Sequence, residues 1–103
     1  MVFEVVSGQV RIGARSRFRE LHAQKLLPAY RKAGIRVVAA LMTEVGSFGK
    51  FVDIYEYRDF GDYEARSSLV AASLEDSGYY PEIQECILGS ISIELMESFL
   101  SGQ

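Results

Sequence analysis

Tryptophan is absent from this 103-residue chain, and cysteine and histidine occur once each. The lone Cys86 cannot close an intrachain disulfide, so a disulfide scaffold of the secreted kind is not expected. With His22 as the one imidazole, a metal site of three or four nitrogen and sulfur ligands has no donor set to draw on. A serine triad would have to use the same His22, and no G-x-S-x-G elbow accompanies it. Glycine loops of the phosphate-cradling kind are missing as well. The longest plain apolar run, Val37 to Met42, is far too short to cross a bilayer. Neither sign of charge dominates. Eleven basic against 14 acidic residues leave a net charge of -3, which gives no reason to expect nucleic acid as a partner. The opening Met1-Val2-Phe3-Glu4 has neither the basic nor the apolar stretch of a signal peptide, so a cytoplasmic location without a membrane partner is the expectation.

What the chain does have is apolar mass, 49% of its residues against 24% charged. A single domain of this size buries only roughly 60–70% of its unfolded surface by itself. So generous an apolar share points to burial beyond a monomeric core. The charges are segregated: Arg15, Arg17, Arg19, Lys25, Arg31 and Lys32 gather early, whereas acids dominate from Asp53 onward. Two helical regions of opposite charge could dock side by side, steer an anion towards the first, or stand as separate solvated faces.

The β-branched and aromatic mixture Val2 to Val10 predicts a first strand. A helix follows, with Ala14, Phe18, Leu21, Lys25 and Ala29 in its stripe, His22 and Leu26 at the flank, and Ser16 as a candidate cap. Pro28 should bend or interrupt it near Gln24 to Leu27, and Gly34 ends it. Strands are expected over Ile35 to Val45 and Lys50 to Tyr57, joined by a Gly46-Ser47-Phe48-Gly49 hairpin turn. Asp59 should cap a helix over Gly61 to Leu74. A shorter one begins with Tyr79-Tyr80-Pro81 and runs to Ile87; a last strand spans Ser90 to Met96. Residues 1–97 thus form one domain, with 98–103 as a tail.

Right-handed crossovers fold this β-α-β-β-α-β order into an α+β, ferredoxin-like sandwich with an antiparallel sheet. Its helices roof one face. Strands one and three carry apolar groups on both, and leaving a side chain such as Val5 or Ile54 wet forgoes roughly 1.5–3 kcal/mol. A homodimer formed sheet to sheet, an α+β barrel, is the structural expectation.

Between first helix and sheet lies the constellation with chemical promise. His22, Lys25, Glu4, Asp53 and Glu56 are polar members there, and Tyr30, Tyr55 and Tyr57 would form an aromatic wall. Burying an unpaired carboxylate is costly, so a pocket is one explanation, with His22 as general base or hydrogen-bond partner of a phenol-like ligand. The simpler explanation is that His22 and Lys25 snorkel from the rim of the helix, and that Glu4, Asp53 and Glu56 pair across strands or with interface arginines. No cofactor is called for, although His22 could serve as a single axial haem ligand.

Thr43-Glu44-Val45-Gly46, followed by Phe51-Val52-Asp53-Ile54-Tyr55-Glu56-Tyr57, resembles the T-E-x-G hairpin and tyrosine-ended strand of the NIPSNAP family, within the dimeric α+β-barrel superfamily. Phe18, Leu21, Pro28 and Gly34 match its first-helix aromatic, leucine, proline and closing glycine. Departures exist: Tyr55 and Tyr79 or Tyr80 stand where the family often has tryptophan, and Asp53 where histidine is common. The resemblance implies a ferredoxin-like fold that dimerises through its sheets, but no agreed reaction. Three function classes follow: a homodimer binding a small apolar or aromatic molecule between helices and sheet, a cofactor-independent monooxygenase-like enzyme on an aromatic substrate, and a protein-interaction module.

Overall fold

The computed structural model describes residues 1–100. Its elements are β1 (Val2–Gln9), α1 (Arg15–Leu21), a π-helical turn (His22–Leu26), α2 (Leu27–Lys32), β2 (Arg36–Met42), β3 (Lys50–Tyr57), α3 (Phe60–Asp76), α4 (Tyr79–Gln84) and β4 (Ser92–Glu97). The four strands form one antiparallel sheet in the order β2-β3-β1-β4, with β1 and β3 central. This is the ferredoxin-like α+β sandwich expected from the element order.

Alternation along β3 sets the two faces. Phe51, Asp53, Tyr55 and Tyr57 are buried towards the helices, and Val52, Ile54 and Glu56 are half-buried on the reverse. Register carries the parity to β1: Val2, Glu4 and Val6 lie opposite Tyr57, Tyr55 and Asp53 and share the helical face. The reverse face shows Phe3, Val5, Val52, Ile54, Leu41 and Met96, an apolar surface with no helix across it among the described residues.

The first helical segment holds the most consequential local feature. Pro28 has no amide hydrogen to donate back along a regular helix, and the turn just before it widens to π geometry. That extra residue realigns the buried stripe to Phe18, Leu21, His22, Leu26, Ala29 and Tyr30. Lys25, placed in the stripe by regular periodicity, is turned outward, and His22 and Leu26, expected at the flank, are turned inward. Ser16 is not the cap; Ala14 occupies that position without a side-chain hydrogen bond.

Other boundaries shift for visible reasons. Expected to reach Val45, β2 stops at Met42 because Glu44 leaves the ladder to pair with Arg15 and Arg19 of α1. Asp59 does cap α3, its Oδ1 accepting from the Asp62 amide at 2.7 Å. α4 starts after Gly78, which takes the left-handed conformation, so Pro81 is its third residue and not its first. The helix ends before Ile87 because Ile87 bridges to Val10 and Leu88 N donates to Gln9 O. β4 begins at Ser92, not Ser90, where pairing with Ser7 begins. The opposite charges of the two helical regions meet at one point: Arg17 and Lys25 both pair with Glu82 of α4. Of the expected tail, residues 101–103 lie outside the described residues.

Gly49 is required where it stands. Its φ is +77°, and a Cβ there would sit 2.5 Å from the Val10 carbonyl oxygen, whose own amide donates to Gly49 O. A Gly49→Ala variant should lose at least about 1–2 kcal/mol from the left-handed conformation alone. An unchanged midpoint in urea unfolding would show that the turn relaxes freely.

Candidate functional site

Between the helical layer and the sheet is a cavity of about 350 Å³. Its sheet wall is built by Glu4, Val6, Phe51, Asp53 and Tyr55; the first helical segment supplies Phe18, His22, Leu26 and Tyr30. From α3 come Val70 and Leu74, and from α4 Tyr79, Tyr80 and Ile83. Most of that surface is apolar carbon and ring, so its few polar atoms stand out.

Two carboxylates are buried in this wall, each held differently. Asp53 Oδ2 lies 2.7 Å from His22 Nε2 and accepts from Tyr55 Oη at 3.2 Å. Glu4 Oε1 accepts from Tyr30 Oη at 3.0 Å and from Tyr57 Oη at 2.9 Å. The rings of Tyr30 and Tyr55 are stacked, centroids 3.6 Å apart and nearly parallel, which places their hydroxyls over neighbouring strand positions. Burial raises the Glu4 carboxyl above the usual carboxylate range, opposed by the two phenol donors and reinforced by the nearby Asp53 charge. The phenols of Tyr30, Tyr55, Tyr57 and Tyr79 are all pushed up, first by burial and next by the carboxylate each one faces.

On the cavity wall, satisfaction is incomplete at one place. Asp53 Oδ1 and His22 Nδ1 are buried and have no hydrogen-bond partner among the described residues, although their sibling atoms are paired. Such groups are rare in folded proteins because each costs about 1–3 kcal/mol. Phe18, His22 and Asp53 also line a second, smaller cavity of about 180 Å³ bounded by Ala40, Leu41 and Met42 of β2. The pair therefore stands as a partition between two hollows. His22 shares the face of Phe18 by ordinary helical spacing, and the π turn that follows keeps Lys25 from joining it there.

The structure brings His22, Tyr30, Asp53 and Tyr55 together on one cavity wall. Tyr57 stands behind that wall and reaches Glu4. Lys25 points elsewhere; its Nζ donates to the Ser77 carbonyl at 2.7 Å and pairs with Glu82. Glu56 is on the opposite face and pairs with Arg36 directly across the strands at 3.2 Å. Phe51, Tyr79, Ile83 and the α3 residues were missed. Phe51 shares the parity of Asp53, and Tyr79, Ile83 and Ile87 recur every four residues, signals that could have found them. Among the described residues, no helix is long and apolar enough to cross a membrane.

Helices on one side of a four-stranded antiparallel sheet, with a pocket between, define a ferredoxin-like α+β protein of the kind seen in the NIPSNAP and monooxygenase folds. An uncharacterised NIPSNAP domain protein from Burkholderia xenovorans superposes with a TM-score of 0.83 at 14% identity, covering 100% of this chain and 99% of that one. A NIPSNAP family protein from Agrobacterium tumefaciens gives 0.81 at 14% identity, covering 99% and 98%. A Nitrosomonas europaea protein provisionally described as an antibiotic biosynthesis monooxygenase gives 0.70 at 16% identity, covering 97% and 100%. No protein-family model matches the sequence, and no curated protein does. The NIPSNAP resemblance read from the residues thus extends to the whole fold. At such identities a shared fold transfers no activity by itself.

Proposed function

We propose that the protein works as a homodimer whose subunits each bind a small apolar or aromatic molecule between helices and sheet. The observation that carries the binding reading is the His22–Asp53 pair, buried on a cavity wall with one unpartnered polar atom on each side chain. A bound molecule that supplies those hydrogen bonds offsets their desolvation, and the surrounding rings hold its body. The homodimer is supported by the bare sheet face: Phe3, Val5, Val52 and Ile54 are only half-covered, and Leu41 is 58% exposed. A second sheet laid across them buries side chains worth roughly 1.5–3 kcal/mol each. Native mass spectrometry of freshly purified protein reads both halves of the proposal, subunit number and retained small molecule. A monomer without cargo would overturn both. For any retained ligand, His22→Ala should weaken affinity about tenfold, the scale of one lost buried hydrogen bond. Unchanged affinity removes His22 from the site.

One feature favours a second reading, a cofactor-independent oxygenase acting on an aromatic substrate. With Nε2 held by Asp53, the free Nδ1 of His22 is oriented as a general base would be, its partner carboxylate stabilising the imidazolium formed by proton abstraction. Oxygen uptake on adding hydroxynaphthalenes tests this directly, and a flat oxygen trace excludes it for that substrate class.

A further inference from the structure

We infer that the cavity selects an amine carried on an apolar, flat body, and rejects carboxylates of the same shape. The inference rests on the binding reading above and adds the charge and hydrogen-bonding sense of the ligand. Its starting point is an inventory of what the wall can offer. Asp53 is 2% exposed, and its Oδ1 has no partner because His22 and Tyr55 both engage Oδ2. A carboxylate oxygen accepts and does not donate, so whatever completes it must bring an N–H or O–H.

The three phenols nearest the two carboxyl groups are already committed, which leaves Tyr79 and Tyr80 of α4 as the hydroxyls an acceptor ligand could still use. Tyr30 and Tyr57 donate to Glu4, and Tyr55 donates to Asp53. Glu4 places a second carboxyl on the same wall, whereas among the described residues no lysine or arginine lines the cavity. Lys25 and Arg17, the nearby cations of the first helical segment, are drawn away to Glu82. An entering anion would therefore face two carboxyl groups with only the His22 imidazole, itself engaged by Asp53, as a possible counter-charge, in a space where water screens little. An entering ammonium group meets the opposite situation. It supplies three donors, one for Asp53 Oδ1, and it lies among the rings of Phe18, Tyr30, Tyr55 and Tyr79, and ring quadrupoles attract cations. This also gives the acid pair a reason to persist: a bound cation offsets the mutual repulsion of Glu4 and Asp53.

The test is a matched series on one ring system: naphthylmethylamine, naphthylmethanol, methylnaphthalene and naphthoate, each titrated into wild-type dimer or monomer as purified and followed by calorimetry. The amine should bind about tenfold or more tightly than methylnaphthalene, the alcohol between them, and naphthoate weakest of all, as charge-assisted hydrogen bonds require. In Asp53→Asn the advantage of the amine over methylnaphthalene should fall below about threefold, while methylnaphthalene itself binds as before. If methylnaphthalene binds and the amine gains nothing, or naphthoate binds as well as the amine, the charge selection is wrong and the pocket stands. If no member binds, the pocket reading fails with it. Should Asp53→Asn not fold, the wild-type ranking alone decides.

Discussion

Titrated upward past about pH 10, the protein should unfold cooperatively instead of ionising its tyrosines one at a time. Tyr30, Tyr55, Tyr57 and Tyr79 all have their phenol pKa raised in the folded state by burial and by facing carboxylates. In the unfolded chain each would ionise near 10. For a group whose folded pKa lies above its unfolded value, the stabilising contribution is complete below the unfolded pKa. It is lost as pH climbs from there towards the folded pKa, because only the unfolded chain releases its protons in that window. Each such tyrosine removes about 1.4 kcal/mol per pH unit, so four together remove about 5 kcal/mol per unit. A domain of this size has roughly 5–15 kcal/mol in all. About one to three pH units above 10 are therefore enough to unfold it. Phenolate absorbance and far-ultraviolet circular dichroism recorded on the same titration should show the four buried phenols ionising together with loss of helix. Tyr63 and Tyr80, which are less enclosed, should respond earlier. Full phenolate signal with intact helix would contradict the burial described above.

Tyr55 is the side chain whose loss should cost the core most. It is 1% exposed, stacks on Tyr30 and donates to Asp53. Tyr55→Ala removes a large buried ring and leaves a void next to an existing cavity, a change worth about 3–5 kcal/mol. For a chain near 100 residues that lowers the thermal midpoint by more than about 12 °C. Tyr55→Phe keeps the ring and deletes only the phenol, with His22 still bonded to Asp53, so about 1–2 kcal/mol should go. Thermal melts of the two variants separate packing from hydrogen bonding. Equal losses would mean that the hydroxyl, not the stacked ring, holds this wall together.

The architecture was legible because it depends on short-range pattern. The strict alternation from Phe51 to Tyr57 fixed which side of β3 faces the helices, and Asp59 announced the start of α3 by the chemistry of its carboxylate. The apolar groups on both faces of the central strands are likewise present, and the chain carries them as the alternation implied. What pattern could not supply was phase. Regular 3.6-residue spacing put Lys25 inward, yet the effect of Pro28 was a change of helical pitch one turn upstream, not the simple break that proline suggests. Glu44 shortened β2 for a reason that lies 25 and 29 residues away, at Arg19 and Arg15. The cavity was legible in part: His22, Tyr30, Asp53 and Tyr55 meet on it, whereas the walls given by α3 and α4 depend on how those helices dock. Glu56 was grouped with Asp53 as an acid of the same strand, although its odd-even position already sends it to the other side.

The five-residue turn from His22 to Leu26 also affects how this chain compares with its structural kin. Wider winding inserts one residue without lengthening the helix by a turn, so the segments before and after it run out of step by a single position. A kindred chain wound regularly throughout would need a one-residue gap in the alignment here. Without it, every downstream helix position is matched to the wrong neighbour, and a lysine in one chain is equated with a core leucine in the other. At 14–17% identity the correspondence between two chains of one fold is easily obscured by so small an offset. Superposition of backbones restores the correspondence that letters alone conceal.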